Sequence, residues 1–179
     1  MIITRTPFRV SFFGGGTDYP AWYQRHGGVV LATSIDKYCY ITCRYLPPFF
    51  EHKYRIVYSR IENVQKISEI QHPAVKAVLD TYDCTDGLEV HHDGDLPARA
   101  GLGSSSSFTV GLINAVMALR GKYISKEELA SQAIHVEQKV IQENVGSQDQ
   151  ITAAFGGLNR IEFRQDSSFD VAPIILPKE

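Results

Sequence analysis

Two glycines and four serines stand directly before an apolar run in ARAGLGSSSSFTVGLINAVMA, residues 98–118. Serine is a poor helix-interior residue, and a single serine suffices to cap a helix. Glycines let backbone N–H groups approach a ligand closely. A helix N-terminus adds unsatisfied N–H donors and a partial positive charge. Together they make an anion site, most naturally for phosphate, with serine hydroxyls able to donate to phosphate oxygens or to ligate Mg²⁺. Taken alone, the loop reads equally well as a plain helix cap.

Two common phosphate patterns fail here. The P-loop, G-x-x-x-x-G-K-[ST], needs a lysine that does not follow these glycines. In the dinucleotide pattern, G-x-G-x-x-G, Ser106 would hold the third glycine position. That pattern also wants an acidic residue about 20 positions later at a strand end, and none stands there.

Two other stretches bear on the choice. TPFRVSFFGGGTDYP combines a lone arginine, Arg9, with a glycine turn and Thr17–Asp18. VEQKVIQENVGSQDQ places Glu137 on a helix and Asp149 just beyond a glycine turn. Phosphoryl transfer needs a phosphate cradle, a metal ligand beside it, and a carboxylate or cation at the acceptor hydroxyl. The chain has one candidate for each. Singly, each has an ordinary reading: Arg9 as an ion-paired strand residue, Asp18 as a cap before Pro20, Glu137 on a solvated helix face, and Asp149 as a turn residue.

The elements that must position these side chains follow from periodicity. IITRTPFRVSFF, rich in β-branched and aromatic residues, predicts a strand, and PAWYQRH a short helix opened by Pro20. GVVLATSI, KYCYITCRYL and YRIVYS predict three more strands. PAVKAVLDTY puts Val75, Val78, Leu79 and Tyr82 on one helical face, and GLEVHHDG returns to strand. Phe108, Leu112, Ala115, Val116 and Leu119 have helical spacing, closed by Gly121. Ser125 and Glu128 form a capping-box pattern for a helix carrying Leu129, Ala133, Val136 and Val140. SQDQITAAFGGLNRIEF predicts a helical turn, a Gly-Gly break and a strand. Strands first, then helices mixed with strands, predict an α+β fold. The end, VAPIILPKE, reads as a chain leaving a domain.

Composition removes several classes. A net charge of −2 without a Lys/Arg run argues against nucleic-acid or polybasic membrane binding. No apolar stretch approaches the roughly 20 residues of a membrane span, and the N-terminus lacks the order of a signal peptide, so a cytoplasmic protein is expected. Three cysteines without framework spacing argue against a disulfide scaffold, and alternation puts Cys39 and Cys43 on one strand face as buried thiols. His91, His92 and Asp93 are adjacent on a strand and point to opposite faces, which argues against a metal site.

Together, these stretches resemble the GHMP kinases, the family of galactokinase, homoserine kinase, mevalonate kinase and phosphomevalonate kinase. LPARAGLGSSSS is similar to the P-x-x-x-G-L-G-S-S motif that wraps the ATP phosphates. PFRVSFFGGGTDY is similar to the sugar kinases' P-G-R-V-N-L-I-G-E-H-T-D-Y. The resemblance implies the family's α+β N-terminal domain, ribosomal protein S5 domain 2-like, over residues 1–179, with a mixed sheet packed against helices. It implies ATP phosphates at Pro97, Ala100, Gly101, Leu102, Gly103, Ser104, Ser105 and Ser106, and Mg²⁺ on Ser105 and Glu137. It implies Asp149 as catalytic base with Arg9 beside the transferred phosphate, and a sugar at Gly15, Gly16, Thr17, Asp18 and Tyr19. Glu137 stands 12 positions before Asp149, the separation of metal-binding glutamate and catalytic aspartate in galactokinases.

Two departures matter. Galactokinases have Glu-His where this chain has Gly15 and Gly16, which implies a roomier pocket for a larger or phosphorylated sugar. FGGGTDYP and ENVGSQDQ most resemble the branch that phosphorylates D-glycero-D-manno-heptose 7-phosphate at its anomeric hydroxyl. Nothing after Gly157 matches the family's third glycine-rich motif, so the C-terminal domain is expected to lie outside these 179 residues. The alternatives are a galactokinase-like enzyme for another sugar and a non-catalytic sugar- or nucleotide-binding module.

Overall fold

A computed structural model describes residues 1–97 and 100–177. Ala98 and Arg99 of the phosphate motif, and the last two residues of the expected domain, lie outside the described residues. The elements run β1 (Ile2–Phe13), α1 (Pro20–His26), β2 (Gly28–Tyr45), β3 (Tyr54–Val57), β4 (Ile61–Val64), α2 (Pro73–Thr81), β5 (Leu88–Gly94), α3 (Ser104–Leu119), α4 (Lys126–His135), α5 (Gln148–Phe155), β6 (Leu158–Phe163) and β7 (Phe169–Pro173). Helices and a mostly antiparallel mixed sheet make the expected α+β architecture; among the described residues only β3 and β5 pair in parallel.

The spine of the sheet is β2. The sequence predicts two strands here, but the structure has one of 18 residues. Along one edge β2 pairs antiparallel with β1, from Ile2↔Cys43 to Phe13↔Leu31. Its other edge is shared, with β6 against Gly28–Thr33 and β5 against Cys39–Tyr45. Asp36, which separates the two predicted strands, lies opposite an irregularity: the β1–β2 register shifts between Pro7 and Arg9. Such irregularities bend a strand and re-aim its side chains. Strict alternation from buried Thr4, Thr6 and Phe8 would leave Arg9 on the uncovered face. The shift falls where Arg9 must instead reach the glycine loop.

The helices cover the other face of the sheet. Buried Phe8, Ile41, Cys43, Ile56 and Val90 of the strands meet Val75, Leu79, Phe108, Leu112 and Ile113 of α2 and α3. Cys39 and Cys43 are buried and free, as expected for core thiols, and Cys84 is buried and free as well. From Ser106 to Ile113 every residue of α3 is buried, so it is a central helix rather than an amphipathic surface one. Its closest approach to the sheet is at Gly111, whose carbonyl accepts from Thr4 Oγ1 at 2.9 Å. A Cβ there would lie 2.8 Å from Thr6 Oγ1. No helix among the described residues is long and apolar enough to cross a membrane.

The expected helix through Val140 is irregular. After His135 the chain widens into a π-helical turn over Val136–Val140, with Ile141 N donating to Val136 O at 2.9 Å. Val136 and Glu137 stay buried, Glu137 on the same face as Ala130 and Ala133, and the extra residue shifts the phase beyond them so that Val140 is 41% exposed. β4 and β7 also fall in stretches too short or too polar for period-2 reading.

Filling the gap over β1 should be destabilising. Gly111→Val is expected to lower stability by about 1–3 kcal/mol, the usual range for overpacking a core. Urea unfolding followed by circular dichroism checks this, and an unchanged midpoint would contradict the close approach.

Candidate active site

Four segments distant in sequence converge at one end of the sheet. Arg9 comes from β1, the glycine–serine loop leads into α3, Glu137 sits on the π turn, and Asp149 opens α5. Arg9 clasps Asp149 with two parallel hydrogen bonds, Nε to Oδ1 at 2.6 Å and Nη2 to Oδ2 at 2.8 Å. Its Nη1 donates to Gly101 O at 3.0 Å, and its backbone N–H donates to Leu102 O at 3.0 Å. One residue thus holds the loop and the aspartate together. The side chains are 14% and 24% exposed, enough for an arriving ligand to reach the pair. In the first turn of α5, Asp149 also faces the positive end of the helix dipole.

The loop meets α3 at Gly103, the N-cap, with φ +74°. A Cβ there would be strained in the left-handed region and would lie 3.0 Å from Arg9 Cγ and 3.4 Å from Asp149 Oδ2. Gly103 has no side chain to cap the helix, so the first-turn N–H groups lack the cap that a serine or aspartate would bring. The following serines are differently employed. Ser107 Oγ donates to Pro7 O at 2.8 Å and ties α3 to β1. Ser106 Oγ donates to Glu137 Oε2 at 2.9 Å.

The resemblance implies Mg²⁺ on Ser105 and Glu137; in the structure it is the Ser106 hydroxyl that lies against Glu137. Ser105 is exposed and lines an apolar cavity instead. The reason is helical geometry: successive side chains point about 100° apart, so adjacent serines face different surroundings.

Glu137 is 1% exposed, and burial pushes its carboxyl above the ordinary value, with the neighbouring Thr109, Ser106 and Gln150 drawing it partly back. Oε2 accepts from Ser106 Oγ and from Gln150 Nε2, while Oε1 is buried with no hydrogen-bond partner. A buried, half-satisfied carboxylate beside a hydroxyl is a hard-oxygen donor set that suits Mg²⁺. The residues present therefore fit that ion, with the Ser106 hydroxyl beside Glu137.

The sugar-side residues divide. Gly15 and Gly16 are exposed, and a Cβ on Gly16 would meet nothing within 4 Å. Tyr19 is exposed at the N-cap of α1. Thr17 and Asp18 look inward. Thr17 Oγ1 donates to Gly14 O at 2.8 Å and accepts from Val29 N at 3.2 Å. Asp18 is 1% exposed. Its Oδ1 accepts from Gly16 N at 3.0 Å and Oδ2 from Gln148 N at 3.2 Å, while its carbonyl accepts from Ser147 N at 3.0 Å. Their polar atoms pin the turn to β2 and to the start of α5, because buried oxygens need nearby donors. Pro97 and Ala100 are exposed at the mouth of the loop.

A cavity of about 270 Å³ adjoins the serines, lined by Phe8, His72, Pro73, His92, Leu96, Ser104, Ser105 and Phe108. His72 stacks on Phe108 with ring centroids 4.6 Å apart, and His92 meets the same ring edge-on at 5.1 Å. Burial pushes both imidazoles below their ordinary value, toward the neutral form. Sequence reasoning missed this cavity, since its walls come from β1, β5, α2 and α3; its one signal was a histidine on the inward face of β5. Opposite face occupancy held: His91 Nε2 lies 2.8 Å from Glu89 Oε1 on the other side of the sheet.

Comparison with known proteins bears on the same region. A sequence model described as GHMP kinases N terminal domain matches residues 66–157, just over half of the chain. The D-glycero-alpha-D-manno-heptose 7-phosphate kinase of Campylobacter jejuni is 28% identical over 97% of this chain and 54% of its own length. The galactokinase of Pyrococcus furiosus is 27% identical over 99% of this chain and 51% of its own. This chain thus spans about half the length of the curated relatives it matches. A solved D-glycero-D-manno-heptose 1-phosphate kinase from Bacteriodes thetaiotaomicron superposes with TM-score 0.89 at 25% identity, covering 99% of this chain and 61% of that one.

Because the folded Glu137 carboxyl is raised, the folded state holds its proton to higher pH than the unfolded chain does. Stability is therefore fully present below the ordinary carboxylate value and lost as pH rises through the folded one. Glu137→Gln should remove that loss. The ligand-free variant is expected to melt higher than wild type at pH 7 to 8, by about 2–4 °C for each kcal/mol recovered, with the two converging near pH 4. Differential scanning calorimetry across that range checks it; parallel curves would contradict the burial effect.

Proposed function

This chain belongs to the GHMP kinase family, and from that membership we propose that it forms the nucleotide- and sugar-binding half of an ATP-dependent sugar-phosphate kinase. The observation that carries the reading is the Arg9–Asp149 clasp at the mouth of the uncapped α3 N-terminus, with Glu137 and Ser106 behind it. ATP phosphates lie over residues 101–106, where backbone N–H groups and the helix dipole stabilise their charge. The apolar cavity beside Ser104 and Ser105 receives the base. Glu137 and Ser106 would hold Mg²⁺, which when bound offsets charge on the transferring phosphoryl group.

At the acceptor end, Asp149 takes the proton of the attacking hydroxyl. Both of its oxygens are held by Arg9, but a carboxylate oxygen accepts more than one hydrogen bond, so a hydroxyl can share Oδ1 or Oδ2 with the guanidinium. Arg9 fixes the carboxylate plane and stands ready to stabilise charge developing on the phosphoryl oxygens. A loose transition state asks little of a base, so part of the effect of Asp149 is orientation.

For the acceptor we propose D-glycero-D-manno-heptose 7-phosphate, phosphorylated at the anomeric hydroxyl. In support, Gly15 and Gly16 are exposed and a Cβ on Gly16 would meet nothing within 4 Å, where galactokinases have larger side chains, and the heptose kinase of Campylobacter jejuni aligns with 97% of this chain.

A coupled assay for ADP release tests the reading on the full-length protein that carries this chain. Heptose 7-phosphate, galactose, fucose and mevalonate are compared side by side. Turnover is expected with heptose 7-phosphate above the others. Preference for galactose would move the assignment to a galactokinase, and turnover with none would make the chain a binding module. In the active protein, Asp149→Asn is expected to slow turnover roughly 10²–10⁴-fold with a small change in substrate KM. Near-normal turnover would remove Asp149 from proton transfer.

A further inference from the structure

One fully buried polar side chain beside the site has no part in the chemistry above. Gln150 lies in α5, directly after Asp149, with no exposed surface. Its Nε2 donates to Glu137 Oε2, the same oxygen that accepts from Ser106 Oγ at 2.9 Å. The Thr109 hydroxyl, also close to this carboxylate, directs its hydrogen bond to Ser105 O at 3.2 Å. Glu137 Oε1 is left without a hydrogen-bond partner, and so is Oε1 of Gln150 itself.

This distribution is uneven for a buried carboxylate, which ordinarily gathers donors on both oxygens. Here one oxygen has two donors and the other has none. The terminal torsion of a glutamate is broad, so the carboxylate plane is set by its partners rather than by its rotamer. Two donors converging on Oε2 define that plane. A methionine at position 150 would fill a similar volume and remove an orphaned carbonyl oxygen from the interior. A glutamine whose own oxygen is unpartnered is therefore poorly explained by packing alone, and well explained by the direction of its amide N–H.

We propose that Gln150 is a positioning residue: its amide fixes the Glu137 carboxylate so that Oε1 stays bare as a single-oxygen ligand for Mg²⁺. The proposal rests on the reading of Glu137 as a metal ligand. It also ties the metal side of the site to the acceptor side, because Gln150 and Asp149 are consecutive in one helical turn. A shift of α5 that moves one moves the other.

The test uses the 179-residue chain with ADP and Mg²⁺ as probes. Thermal stabilisation by ADP is measured in EDTA and then with rising Mg²⁺, for wild type and Gln150→Met. The variant is expected to need at least about tenfold more Mg²⁺ for half of the metal-dependent shift, as for other groups that orient a metal ligand. Its response to ADP in EDTA should be unchanged. Equal Mg²⁺ requirements would overturn the proposal. Should Gln150→Met not fold, the side-chain amide signals of Gln150 in ¹⁵N-labelled wild type decide. Movement of those signals as Mg²⁺ is added to the ADP complex supports the proposal. Stationary signals while the Ser106 and Glu137 backbone signals move overturn it. If neither set responds to Mg²⁺, the metal reading of Glu137 fails and the proposal falls with it.

Discussion

The guanidinium of Arg9 joins the end of a strand to a glycine loop and a helix start at one point. The guanidinium reaches Gly101 O and both oxygens of Asp149, and the Arg9 backbone N–H reaches Leu102 O, so a strand, a glycine loop and a helix start share one residue. A planar fork suits this task, because two parallel bonds fix the carboxylate plane while a third N–H turns to a carbonyl. Lysine could supply the charge without the plane. Gly103 lies under the pair, where any side chain would press on Arg9 and Asp149. The shape of the loop and the identity of its glycines thus depend on an ion pair formed 140 residues apart in sequence.

Around that clasp, buried polar atoms do the work of alignment. Asp18 binds the backbone of Gly16, Ser147 and Gln148, which fixes the glycine turn against the first residues of α5. Ser107 anchors α3 to Pro7, two residues before Arg9. Glu137 gathers Ser106 and Gln150. Each contact is a hydrogen bond away from bulk water, where an unmade partner costs more than the bond contributes. The candidate site is therefore stiff on its protein side. Glu137 Oε1 has no hydrogen-bond partner and the Gly103 N-cap of α3 brings no side-chain cap; the first suits a cation and the second an anion.

A π turn follows beside that arrangement. Regular helical spacing already puts Glu137 on the face of buried Ala130 and Ala133, and would have kept Val140 there too. Widening the helix by one residue keeps Glu137 buried and turns Val140 out. Such turns are often found at functional sites, since they break the 3.6-residue phase at a chosen point. The irregularity in the β1–β2 ladder beside Arg9 plays the same part in the sheet.

Much of this protein was legible in its sequence. The main strands and helices followed from period and from breaks at proline and glycine, because burial of one face imposes those periods locally. The glycine–serine loop, Arg9, Glu137 and Asp149 were legible as chemistry, and their joint pattern pointed to the family. What the sequence could not determine was direction. Ser106 rather than Ser105 faces Glu137, and Thr17 and Asp18 turn inward while Gly15 and Gly16 stay open. Two predicted strands join as one spine, and Gln150 enters the site. Each of these depends on where a side chain points after an irregularity or a long-range contact has set the phase. Local period determines that a residue is near a site; only the packed structure decides which of its atoms meets the partner.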